Sequence, residues 1–140
     1  MAKIEEEKSP TRIFVVEDHK NFRNLLCISI DMKAGMEACG SAASGQEALQ
    51  IIPDVNPDLV LIDLSMPKMS GLELLDKIRE QWPDLKCLIL SGHAEASYVK
   101  KAKQHGANGY ILKARPREIL DAIAGSEGKE AFVRPQNIQW

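Results

Sequence analysis

The sequence predicts an α/β domain in which a five-stranded parallel sheet carries helices on both faces. Two observations predict it. Strand and helix patterns alternate five times along the chain, joined by short connections, which implies right-handed crossovers and parallel strands. Three of the five strand candidates are also nearly continuous apolar runs, as expected of strands covered on both sides.

The strands are expected at 12–17, 36–42, 58–63, 85–90 and 108–112. Phe22, Leu25, Leu26 and Ile30 form the apolar stripe of the first helix, which Gly35 ends. Ser44-Gly45-Gln46-Glu47 is a capping box opening the second helix, and Pro53 ends it. Ser70-Gly71-Leu72-Glu73 is another capping box. Its helix presents Leu74, Leu75, Ile78 and Trp82 on one face and stops at Pro83. The fourth helix, near 94–105, has a thin apolar face of Tyr98, Val99 and Ala102, and Gly106 ends it. Pro116 suits the first turn of the fifth helix, which carries Ile119, Leu120 and Ile123. The plan is flavodoxin-like and doubly wound, with strand order 2-1-3-4-5. Ligands of such sheets bind outside the carboxyl ends of the strands.

Residues 1–10 are polar, with the run Glu5-Glu6-Glu7, and are expected to form a loose arm. Residues 11–125 form the domain. Residues 126–140 are a tail or linker stub, or a segment that docks on a partner or on the domain, since Phe132, Ile138 and Trp140 are unusual in a solvated tail. The chain has 140 residues, 44% hydrophobic and 27% charged, which suits one ordinary globular domain. Its net charge of −2 gives nucleic-acid binding no support. No apolar run reaches the ~20 residues of a membrane span, and residues 1–10 lack the apolar core of a secretion signal. Cys27, Cys39 and Cys87 include no C-x-x-C pair and sit in apolar neighbourhoods. They read as buried thiols in a reducing compartment, hence the cytoplasm.

The chemistry lies at the strand ends. Glu17-Asp18 closes the first strand, Asp63 the third, Ser91 the fourth and Lys113 the fifth. Packed carboxylates repel one another unless a cation intervenes. Mg²⁺ (or Mn²⁺) prefers oxygen ligands and needs only one or two carboxylates beside waters and phosphate. Asp18 and Asp63 are the expected side-chain ligands, the backbone carbonyl of Ser65 a further one, and Glu17 acts through a metal-bound water. Asp18 can also cap the first helix. Asp63, ionised at neutral pH, is placed as a nucleophile toward phosphorus. Lys113 would pair with the phosphoryl oxygens and Ser91 would donate a hydrogen bond to one of them. His19 and His93 read as solvated or capping side chains rather than transition-metal ligands. His105 reads as a helix C-terminal residue facing water, and Met66 and Met69 as loop packing.

These residues resemble the receiver domain of two-component response regulators. The resemblance rests on Val15-Val16-Glu17-Asp18-His19, Leu61-Ile62-Asp63-Leu64-Ser65-Met66-Pro67-Lys68-Met69-Ser70-Gly71, Leu88-Ile89-Leu90-Ser91-Gly92 and Gly106-Ala107-Asn108-Gly109-Tyr110-Ile111-Leu112-Lys113. It covers roughly residues 11–125 and is specific when the motifs are taken together. It implies that Asp63 accepts phosphate from a sensor histidine kinase or phosphotransfer protein, that Mg²⁺ assists, and that the chain is a phosphoacceptor rather than a turnover enzyme. It implies a switch pair, Ser91 and Tyr110, in which phosphate draws Ser91 inward and Tyr110 follows. The surface of the fourth helix, fifth strand and fifth helix would then change, for a downstream protein target or a self-dimer. His93, two residues past the switch hydroxyl, lies where the family tunes dephosphorylation. The Glu-Asp-His opening and the Gly-Ala-Asn-Gly-Tyr run look most like the NarL/FixJ subfamily, whose members usually carry a helix-turn-helix domain; none is expected in this chain. Ala114 stands where a proline commonly follows the lysine, and Ser91 where threonine is frequent.

Three rivals stand beside this reading. A flavin carrier of the same fold needs a Ser/Thr/Gly phosphate loop after strand 1, where this chain has Glu17-Asp18, and the aromatic share is only 5%. A phosphatase of the haloacid-dehalogenase type has its nucleophile after the first strand and a second acid two residues on, where Ser65 stands. A phosphate-independent pseudo-receiver is opposed by the intact five-residue set.

Overall fold

The computed structural model describes residues 9–128 and 131–135. Residues 1–8 of the expected arm, and Ile138 and Trp140, lie outside the described residues. The elements run β1 (Thr11–Val16), α1 (Lys20–Met32), β2 (Met36–Ala42), α2 (Gly45–Val55), β3 (Leu59–Asp63), α3 (Gly71–Gln81), β4 (Lys86–Ser91), α4 (Ala96–Gln104), β5 (Gly109–Leu112) and α5 (Pro116–Ser126). The strands pair in parallel in the order β2-β1-β3-β4-β5, as the alternation predicts.

Strand alternation splits the core in two. Phe14, Val16, Val60, Ile62, Ile89 and Tyr110 pack against Ile52, Leu74, Leu75, Ile78, Val99 and Ala102 of α2, α3 and α4. Ile13, Val15, Leu59, Leu61, Leu88, Leu90 and Ile111 pack against Leu26 and Ile30 of α1 and Ile119, Leu120 and Ile123 of α5. β3 is central and buried along its whole length, so its carboxyl end stands between those of β1 and β4.

Several expectations need correction. Pro53 lies inside α2 rather than ending it. Near the C-terminus its missing N–H removes one bond, and the helix stops two residues later, where Asn56 takes a left-handed conformation (φ 48°). α1 closes at Met32, before Gly35, with Lys33 extended. Leu25 is exposed, on the outer face with Ile28 and Met32, while Tyr98 lies outside the core. Cys87 is buried, whereas Cys27 and Cys39 are only half-buried. Burial pushes the Cys87 thiol up to about 11, so it is inert packing. The serine half of each capping box is observed: Ser44 accepts from the Glu47 amide and Ser70 from the Glu73 amide, both at 3.2 Å, while the Glu47 carboxylate reaches the Ala43 amide instead of that of Ser44.

The α3 capping turn does more than start a helix. The Gly71 amide donates to the Leu64 carbonyl at 2.9 Å, which brings the helix N-terminus against the end of β3. A Cβ at Gly71 would sit 2.5 Å from the Asp63 carbonyl oxygen and 2.9 Å from Leu64 Cα, both backbone atoms. Only glycine permits that approach, and it holds the Asp63 loop in place. Gly71→Ala is expected to lower stability by about 1–3 kcal/mol. Urea denaturation measures this, and a midpoint equal to wild type would contradict the close packing.

Candidate phosphoacceptor site

Parallel pairing brings four strand ends to one edge. Glu17 directly follows β1, with its amide held by the Ala42 carbonyl at 3.0 Å and its own carbonyl by Arg23 Nη1 at 2.8 Å. Asp63 is the last residue of β3 and only 3% exposed. Ser91 ends β4 and is buried. Lys113 directly follows β5, its amide bonded to the Ser91 carbonyl at 2.7 Å. The expected acids and the lysine are thus gathered in one crevice. Asp18 lies on the loop between β1 and α1. It does not cap α1, whose N-cap is His19 without a side-chain bond, so its carboxylate is left for the crevice.

The charges do not balance. Lys113 Nζ stands 2.7 Å from Glu17 Oε1 and 3.7 Å from Asp63 Oδ2, and 4.9 Å from the centroid of the Phe22 ring. One ammonium faces two buried carboxylates, with Asp18 beside them. Glu17 Oε1 has the ion-pair contact without an aligned hydrogen bond. Glu17 Oε2, Asp18 Oδ1 and Asp63 Oδ2 are also buried with no hydrogen-bond donor among the described residues. Asp63 Oδ1 has one, the Ser65 amide at 3.3 Å.

Such an arrangement answers with a proton. Burial first, then the hydrogen bond and charge of Glu17, push the Asp63 carboxyl up to about 8, against the pull of Lys113. Burial also disfavours the Glu17 anion, but its contact with Asp63 and the close Lys113 ammonium outweigh it and hold Glu17 below the ordinary range. Lys113 is desolvated too, yet Glu17 and Asp63 raise its pKa and keep it charged. Ionised, the two carboxylates have no donor between them, so a proton shared by the pair is favoured.

A divalent cation is the alternative to that proton. Glu17, Asp18, His19 and Asp63 each offer a ligand atom, and these atoms lie within 4.8 Å of one another. The orphaned buried oxygens and the hard-oxygen donor set fit a cation of the Mg²⁺ class. His19 joins the cluster, 3.4 Å from Asp18 Oδ1 and 3.7 Å from Glu17 Oε2, although its side chain is largely exposed. Ser65 is exposed, two residues beyond the end of β3.

The Ser91 hydroxyl and Tyr110 are joined through one residue. Ser91 Oγ accepts the His93 amide at 3.0 Å, and the Tyr110 hydroxyl donates to the His93 carbonyl at 2.7 Å. Tyr110 is turned inward and 1% exposed. The His93 ring stacks on Tyr98 at 4.3 Å. The Lys113–Ala114 peptide is trans. His105 is not simply solvated: its Nδ1 lies 2.8 Å from Asp76.

Chain comparison agrees with this geometry. The model of the response regulator receiver domain matches residues 13–124. The chain belongs to the response regulator receiver family. It is 37% identical over 121 residues to an uncharacterized transcriptional regulatory protein, YhcZ, of Bacillus subtilis, covering 84% of this chain and 56% of that protein. It is 33% identical over 117 residues to the nitrate/nitrite response regulator NarL of Escherichia coli, covering 83% of this chain and 54% of the other. Among solved structures, a LuxR-family two-component response regulator from Aurantimonas superposes with a TM-score of 0.80 at 31% identity, covering 88% of this receiver and 89% of that chain. The receiver spans about half the length of the curated relatives it matches.

Sequence reasoning missed three positioning residues. Arg23 anchors the Glu17 carbonyl. Arg79 bonds the carbonyls of Gly106 and Leu85 and the Asn108 side chain at 2.8, 2.5 and 2.7 Å, fixing the turn into β5. Asn108 Oδ1 also accepts the Cys87 amide at 2.8 Å. No local pattern marks a long-range arginine-to-carbonyl bond, although Asn in Gly-Ala-Asn-Gly-Tyr was a cue to look.

The raised Asp63 pKa has a definite sign. The folded, metal-free receiver keeps a proton that the unfolded chain releases near pH 4, so stability from this group is lost as pH rises toward 8. Asp63→Asn, which carries no such charge, is expected to melt about 4 °C or more above wild type at pH 8 in EDTA, with the difference gone below pH 4. Thermal melts across that range measure it; equal melting temperatures at pH 8 would contradict the crowded-acid account.

Proposed function

We propose that this receiver is a phosphoacceptor switch in which Asp63 takes a phosphoryl group from a sensor histidine kinase or phosphotransfer protein. The observation that carries this reading is a buried strand-end carboxylate, Asp63, facing a lysine and two further acids whose oxygens lack donors. A cation of the Mg²⁺ or Mn²⁺ class held by Asp18, Asp63 and the Ser65 carbonyl, with Glu17 acting through a water, would neutralise charge on the incoming donor.

The chain's own residues then do the following. Asp63, as the anion, attacks phosphorus with one oxygen as the donor's bond to its leaving group breaks, giving an acyl phosphate. Lys113 pairs with the phosphoryl oxygens. Ser91 turns its hydroxyl to a phosphoryl oxygen and gives up the His93 amide it accepts now. The His93 main chain sits between Ser91 and Tyr110, so that movement reaches the tyrosine and then the surface of α4, β5 and α5. His93 would tune loss of the phosphate. The responding surface would serve a downstream protein or a second copy of the receiver.

Acetyl phosphate with Mg²⁺, followed by intact mass, tests the reading. Wild type is expected to gain one phosphoryl mass and Asp63→Asn none. Ser91→Ala is expected to label about 10–100-fold more slowly, the loss of one hydrogen bond to a charged group. No added mass on wild type, or equal labelling of Asp63→Asn, would contradict the proposal.

A further inference from the structure

The segment after α5 returns to the sheet. The Val133 amide donates to the Asn108 carbonyl at 3.1 Å, and the Tyr110 amide donates to the Val133 carbonyl at 2.7 Å. Val133 therefore makes an isolated parallel bridge to Gly109 on the free edge of β5. The seat is closely fitted. A Cβ on Gly109 would lie 2.9 Å from the Val133 carbonyl oxygen and 3.1 Å from Val133 Cβ, so glycine there admits the segment. Phe132 packs on the α4 side of the sheet, against the core cluster that contains Tyr110, with Lys103 Nζ 5.9 Å from its ring centroid. Val133, Arg134 and Pro135 line a groove of about 300 Å³ together with Ile111, Glu118 and Ala122. The ladder stops there: in parallel register the next donor would be residue 135, and proline has none.

Tyr110 is thus gripped at both ends. Its hydroxyl is held by the His93 carbonyl and its amide by Val133. Building on the phosphoacceptor reading, we infer that segment Ala131–Pro135 is a built-in strap on β5 that favours the inward Tyr110 and, by linkage, favours phosphorylation of Asp63. The strap and the inward ring occur together in this structure. Phe132 packs against the cluster that holds the inward Tyr110 ring, so the docked strap favours that ring position; if phosphate draws Tyr110 inward, linkage requires that a docked strap in turn favours phosphate. The same segment occupies the β5 edge, so a partner strand seeking that edge would have to displace it.

Val133→Pro in the full chain removes the donated amide; Val133→Ala keeps both main-chain bonds. Amide hydrogen exchange at Tyr110 reads docking, and exchange at Ile111, on the β4 side of the strand, reports the fold. Beryllofluoride with Mg²⁺, a phosphoryl mimic, reads the linkage. The strap account expects Val133→Pro to speed Tyr110 exchange at least tenfold, to leave Ile111 unchanged and to weaken beryllofluoride binding about 3–10-fold, with Val133→Ala close to wild type. Unchanged Tyr110 exchange in Val133→Pro overturns the docking. Faster Tyr110 exchange with unaltered beryllofluoride affinity overturns the linkage while leaving the phosphoacceptor reading intact. Wild type that binds no beryllofluoride overturns both.

Discussion

Three carboxylates and one ammonium share a buried crevice at the carboxyl edge of the sheet, and the arrangement is unstable unless something positive or a proton enters it. Lys113 reaches Glu17 at 2.7 Å but Asp63 only at 3.7 Å, so its charge is spent mainly on the acid that is not the proposed acceptor. Asp63 is left buried and with excess negative potential, which raises its pKa. The same deficit makes a site hungry for a hard cation, and a cation would release Asp63 as an anion. Glu17 is accordingly more than a ligand candidate. It keeps the lysine charged, raises Asp63 and faces the ion, all from a position fixed by Arg23 and by pairing with β2.

The fold exists, from the site's standpoint, to impose that crowding. Burial of β3 on both faces leaves its last side chain no route to bulk water except the crevice. The close approach of Gly71 to the end of β3 fixes the loop that follows, and Ser91 and Lys113 are tied together by a backbone bond across β4 and β5. Charge placed against hydrophobic layers costs stability. The large apolar core on both faces of the sheet offsets that cost.

Much of this was legible in the sequence because strand-end residues follow directly from strand periodicity. Once Leu59-Val60-Leu61-Ile62 is read as a central parallel strand, Asp63 must stand at the crevice; the parallel pairing follows from the alternation and the strand order from the flavodoxin-like plan. What escaped depends on distances along the chain that no local pattern encodes. Pro53 looked like a terminator, yet a proline in the last turn removes one bond and the helix survives it. Leu25 fits the helical stripe of α1 but faces outward, because the stripe is wider than the surface it covers. Arg79 and Asn108 carry no periodic signal, since their partners are main-chain carbonyls and an amide far away in sequence. The return of Val133 to β5 was open for the same reason: an apolar residue after a helix says that it prefers cover, not where it will find it.

The crowded acids predict a specific exchange of a proton for a metal ion, and calorimetric titration with Mg²⁺ in buffers of differing ionisation enthalpy measures it directly. The account predicts one ion per chain, proton release on binding at pH 7, affinity that rises with pH toward 8, and binding lost in Asp18→Asn. Binding without proton release, or binding indifferent to Asp18, would contradict it.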